Sequence, residues 1–274
     1  MRIITRVTLP LLLLAVPGGA ANSQGMPTSQ PGVLSVIIEE LKPGVGADHE
    51  ANESGWPVAF EKAKSPYYYL ALETLTGPPE IWFVAPYQSW AAEGESMKLP
   101  ESNPALAADL ARLARADGPF LNGYRSMQAI GRPDLSYGTY PDIAMARFFE
   151  VTTFRVRPGH EQAFEAAARV YAELTKRTTP AASYRTYQVT AGMPGGTYLI
   201  FGSTNTYAQF DKLMADGNAM WAKATPQEMA TLQKTMTDDV MSSITQRYRV
   251  SPTMSYVSAE AKAKDPKFWS RPKT

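Results

Sequence analysis

The sequence contains no cysteine and only two histidines among its 274 residues. The missing thiols exclude disulfides, thiolate catalysis, a lipid-anchored N-terminal cysteine, and any cysteine-ligated metal or iron–sulfur cluster. Charge of one sign is missing too, since 27 basic side chains face 26 acidic ones. A near-neutral chain carries no electrostatic footprint for nucleic acid or an anionic membrane, so neither is expected as a partner. Long apolar runs are absent except at the start. With 44% hydrophobic and 19% charged residues, the remainder has the balance of an ordinary globular protein, large enough to form a core without disulfides.

The one apolar run, Val7 to Val16, follows Arg2 and Arg6 and precedes Pro17, Gly18, Gly19 and a stretch of small residues up to Ser23. That order is expected of a secretory signal peptide over residues 1–23, cleaved after Ala20, Ala21 or Ser23. The run is too short for a permanent membrane anchor. Export, to a periplasm or out of the cell, is the expected destination. Residues 24–32, with Pro27 and Pro31, read as a flexible lead-in.

Past the lead-in the chain says nearly the same thing twice. Val33 to Leu41 is a β-branched run stopped by Pro43 and Gly44, and residues 147–156 form a second such run stopped by Pro158 and Gly159. Each is followed by a helical stretch opening on a His-Glu pair, His49 with Glu50 and His160 with Glu161. The first helix is interrupted at Gly55, Trp56 and Pro57. Two hairpins come next, 67–85 and 183–203, then helical regions 87–116 and 207–241. Closing strands are expected over 120–130 and 242–250, the second ending before Pro252. The matching positions keep nearly constant spacing, as a tandem duplication requires. Each half reads β-α-β-β-α-β, a ferredoxin-like unit, over residues 33–140 and 141–257. A basic tail, 258–274, carries Trp269 as a docking point.

The first turn Arg157, Pro158, Gly159, His160, Glu161, the aromatic-rich hairpins and the length of each half resemble the dimeric α/β-barrel superfamily, which includes antibiotic-biosynthesis-monooxygenase-like and NIPSNAP-like proteins. The resemblance implies an α+β fold in which the two antiparallel sheets pair into one intrachain barrel. It also implies a substrate that is a small aromatic or hydrophobic molecule, oxidised without a cofactor: a substrate hydroxyl is deprotonated and the electron-rich anion reacts with oxygen directly.

No nucleophile elbow, phosphate loop or dinucleotide fingerprint is present. Gly192, Gly195 and Gly196 join two strands and read as a hairpin turn. The histidines invite a metal hypothesis, but their place at helix starts beside glutamates reads as solvated surface, so no metal is expected. Nor do they match a haem-binding histidine. Strand alternation puts Tyr67, Tyr69, Ala71 and Glu73 on one hairpin face, with Tyr184, Thr186 and Gln188 equivalent in the second half. If that face looks into the barrel, Glu73 is the candidate base, and Tyr69, Trp82, Trp90, Tyr184 and Gln188 line the substrate. The alternative for Glu73 is a structural pair with Arg125 or another strand-end arginine, and the tryptophans serve equally well as core. A non-catalytic envelope binding or structural module, free to form a homo-oligomer, is the rival reading of the whole chain.

Overall fold

The computed structural model describes residues 25–270, so the expected signal peptide lies outside the described residues. The first strand, β1 (Val33–Leu41), leads into α1 (Gly46–Glu53) and α2 (Gly55–Lys62). The helices part at Ser54, where Pro57 in the first turn of α2 has no N–H to continue α1. A hairpin of β2 (Tyr69–Thr74) and β3 (Glu80–Tyr87) follows, then α3 (Trp90–Ser102), α4 (Pro104–Asp117) and β4 (Leu121–Gly131). Asn103 separates the two helices and caps α4 by accepting from Leu106 N. Pro100 is accommodated inside α3.

The second half runs β5 (Phe148–Val156), α5 (Glu161–Thr178), β6 (Arg185–Ala191), β7 (Thr197–Thr204), α6 (Gln209–Ala222), α7 (Pro226–Lys234) and β8 (Val240–Tyr256). Thr225 and Glu228 form a reciprocal capping box that starts α7. A π-helical turn, Thr235–Asp239, delivers the chain into β8. That strand runs past Pro252, where it was expected to stop. Proline is tolerated because the ladder shifts register there: Ala71 pairs with Ser251, Tyr69 with Tyr256, and Ala71 N donates instead to Ser255 Oγ at 2.9 Å.

The strands close into one antiparallel barrel in the order β1-β3-β2-β8-β5-β7-β6-β4. Closure leaves no unpaired sheet edge. Every strand sends alternate residues inward. Leu34, Val36 and Ile38 from β1, Leu70 and Leu72 from β2, Met127 and Ala129 from β4 and Tyr248 and Val250 from β8 meet in one core. The other face points outward, in part beneath helices, as where Leu41, Ala71 and Ile81 pack together outside the barrel, and in part to solvent, as at Tyr124 on β4.

Both flanking segments seal the barrel. Met26 packs against the interior core and Gln30 Nε2 donates to Thr186 O at 2.8 Å, so the lead-in is held in place. The tail forms α8 (Ala259–Lys264) and α9 (Pro266–Trp269). Trp269 is buried in the same core and donates its Nε1 to Ala144 O at 3.0 Å, as its docking role anticipates. Among the described residues no helix is long and apolar enough to cross a membrane.

Candidate binding pocket

The barrel interior is largely filled. At its mouth, between Met26, Tyr140 and Arg185, a cavity of about 70 Å³ remains. Leu70 and Leu72 occupy the inward face of β2, so the hairpin face carrying Tyr69 and Glu73 points outward, opposite to expectation. The physical reason is polarity: a narrow, dry barrel takes the aliphatic face, and the face with tyrosines and a carboxylate goes where partners and solvent reach it.

Glu73 there receives two hydrogen bonds from Arg249, Nε to Oε2 at 2.7 Å and Nη2 to Oε1 at 2.8 Å. Tyr69 packs outside the barrel against Phe60, Phe83 and Tyr256. Trp82 is inside, its ring 5.1 Å from that of Tyr248 and tilted to it, and it donates Nε1 to Glu80 Oε2 at 2.9 Å. Trp90, at the start of α3, is exposed. Gln188 sits outside the barrel wall, where Arg132 Nη1 donates to its Oε1 at 2.9 Å. The six residues thus fall on both faces of the barrel and in both halves, and the fold does not gather them into one site.

Of the six, Tyr184 alone faces a sizeable space. A cavity of about 420 Å³ lies between the outer face of β5 and β7 and the helices α5 and α6. Small side chains open it: Thr152 and Gly202 on the sheet oppose Ala167, Ala168 and Gly217 on the helices. Aromatic rings wall it. Tyr171 lies 5.8 Å from Tyr184 and 6.3 Å from Trp221, and Phe154 lies 5.4 Å from Phe164. The polar groups are few. Tyr184 Oη is buried with no hydrogen-bond partner, and burial raises both its pKa and that of Tyr171, so both phenols stay protonated donors. Glu150 reaches the cavity from β5, oriented by Arg247 Nε at 2.9 Å. Apolar walls with a few converging polar groups are the make-up of a small-molecule site.

Of the candidates read from the sequence only Tyr184 belongs to this place, four of the other five lying in the first half. Its signal was present in Tyr171 and Thr175, one turn apart on the inner side of α5, and in the alternation Glu150, Thr152, Phe154. What no alternation supplies is the gap left by small residues on two elements far apart in sequence.

Neither histidine lines the cavity. His160 is exposed and pairs with Asp239 Oδ1 at 2.7 Å through Nδ1. His49, expected on the solvated surface, is instead only 1% exposed. Its Nε2 lies 2.9 Å from Glu39 Oε2 and 3.4 Å from Asp117 Oδ1. The correction has a physical cause: α1 lies against the outer face of β1 and the end of α4, so its inner side is interior, and a histidine there is buried with acids as partners.

The closed antiparallel barrel with helices packed outside it defines the class as an α+β barrel. No family model matches the sequence, and no curated protein matches it. Solved structures share the fold. A candidate monooxygenase from Lactobacillus acidophilus aligns over 80% of this chain and 93% of its own at 8% identity, with a TM-score of 0.50. One from Fusobacterium nucleatum aligns over 81% and 93% at 14% identity, TM-score 0.52. An anthrone oxidase-like protein aligns over 85% and 97% at 12% identity, TM-score 0.50. At these identities the likeness is one of fold alone.

Proposed function

We propose that this protein is an exported α+β barrel that holds a small aromatic or hydrophobic molecule between the barrel wall and the helices α5 and α6, and oxidises it in the monooxygenase-like, cofactor-independent manner. The observation that carries the reading is the 420 Å³ aromatic-walled cavity with the unpartnered Tyr184 hydroxyl inside it. An unsatisfied buried donor is costly to the free protein and is relieved by a ligand acceptor. Glu150 takes the part of the base, receiving the proton of a substrate hydroxyl, with Arg247 orienting it and Tyr184 donating to the developing ketone oxygen. Molecular oxygen then adds to the ring carbon of the anion; one of its atoms stays as the new carbonyl, and the other leaves as water with that carbon's hydrogen and the proton held by Glu150. The fold neighbours named as candidate monooxygenases and as anthrone oxidase-like support this chemistry. The tandem ferredoxin-like reading belongs here too, supported by the strand orders β4-β1-β3-β2 and β8-β5-β7-β6. Export is supported by the pattern of Arg2, Arg6 and Val7 to Val16.

An anthrone is a suitable probe. Trp221 on the cavity wall should be quenched on titration, and the protein should accelerate oxygen uptake, with Glu150→Gln abolishing the uptake and sparing the quenching. Neither quenching nor uptake with any aromatic hydroxyl compound overturns the proposal. Quenching with no oxygen consumption leaves the binding module as the correct reading.

A further inference from the structure

Four side chains that the pocket does not use converge in the first half. Glu39 projects from the outer face of β1, His49 and Glu53 lie one turn apart on α1, and Asp117 ends α4. All four are buried, Glu39 being the most exposed at 8%. One donor atom from each lies within 4.8 Å of every other. His49 Nε2 already bridges Glu39 and Asp117. Glu53 faces the same point, yet its Oε1 has no hydrogen-bond partner.

We propose that Glu39, His49, Glu53 and Asp117 form a binding site for one divalent transition-metal cation, zinc above others. Three buried carboxylates stand against one imidazole, so the donor set favours a cation. An ion at this point would satisfy all three carboxylates at once, including the Glu53 Oε1 that has no partner in the metal-free cluster. Three oxygens and one imidazole nitrogen complete a four-coordinate shell. At metal–ligand distances of about 2.1 Å, tetrahedral donors stand about 3.4 Å apart, so the widest gap must close by about 1.4 Å, within reach of side-chain rotation. Calcium and magnesium prefer six or more oxygen ligands and do not favour the nitrogen. With four protein ligands and no open position, the ion would tie β1, α1 and α4 together.

The second half shows what the same place looks like without such a site. On the tandem reading, Phe154 stands at the position in β5 that Glu39 holds in β1, and Phe164 follows His160 as Glu53 follows His49. Those two rings pack together with centroids 5.4 Å apart, and His160 turns out to Asp239. Hydrocarbon fills the space there, so the fold does not demand buried acids in the first half, and something else must favour them.

Chelator-stripped protein titrated with zinc, with bound metal counted by elemental analysis, tests the proposal. One equivalent should bind, and the melting temperature should rise by about 5 °C or more. Glu53→Gln removes one carboxylate ligand at nearly constant size, so it should fold without metal yet lose the zinc-dependent rise. His49→Gln should lose it also, whereas His160→Gln should keep it. No bound equivalent in the parent protein, or an undiminished rise in Glu53→Gln, overturns the site. Neither outcome touches the cavity between α5, α6 and the sheet, which the anthrone titration tests separately.

Discussion

A carboxylate means different things according to its neighbours. Glu73 is partly exposed and held by both ends to Arg249, which is the structural pairing weighed as the alternative to a catalytic base. Exposed pairs of this kind contribute little. Glu73→Gln is therefore expected to cost less than about 1 kcal/mol in urea unfolding, and to leave anthrone quenching of Trp221 unchanged. A loss of binding on that substitution would return the site to the hairpin. Trp82 illustrates the opposite case. Its ring is interior and its N–H is spent on Glu80 Oε2, while Oε1 takes Arg125 Nη2 at 2.7 Å, so Trp82→Phe should destabilise by about 2 kcal/mol through the one carboxylate oxygen left without a partner, measurable by the same unfolding curves.

At the level of elements, most boundaries were legible because the punctuation is local: Pro43 and Gly44 end β1, Pro57 parts α1 from α2, and Asn103 with Pro104 opens α4. Which face of a strand looks inward was not. Both faces of these strands carry apolar or aromatic residues, as Leu70 and Leu72 on one side of β2 and Tyr69 and Ala71 on the other, so alternation marks two sides without ranking them. The burial of His49 was equally hidden, since its partners Glu39 and Asp117 come from elements that only tertiary packing brings together. The turn after β4 offers a test at this scale. Arg132 binds Asp134 and Glu165, and Arg169 also reaches Asp134. Hydrogen bonds from Arg132, then Arg169, lower Asp134 to about 2 despite partial burial, and Arg132 lowers Glu165 likewise. Depressed folded pKa values stabilise the fold above the unfolded value near 4, an effect lost as pH falls through about 2. Asp134→Asn should thus lie below the parent by at most about 1 kcal/mol at pH 7, because the group is solvent-screened. The two should converge near pH 2, and a constant gap across that range would contradict the assignment.

For the whole molecule, the pairings that matter join distant parts of the chain. The barrel is completed along two seams, β2 with β8 and β4 with β6, and its end is covered by Trp269. Trp269→Ala removes a buried ring and an indole hydrogen bond and should cost about 3–5 kcal/mol, while the pocket-wall substitution Trp221→Phe, at a partly exposed position, should cost far less. Equal losses would mean that the tail is peripheral. Thermal unfolding should show one transition, since neither half keeps its sheet edges covered without the other.

That seam between β2 and β8 also sets a timetable. Tyr69 pairs with Tyr256, so during synthesis from the N-terminus the β2 edge waits, bare, for a strand made far later. A long-range pairing of this kind folds slowly and leaves an adhesive edge open meanwhile. On the export proposed above, that wait would be an advantage: the barrel could not close early and jam the passage, because the strand that locks it arrives near the end.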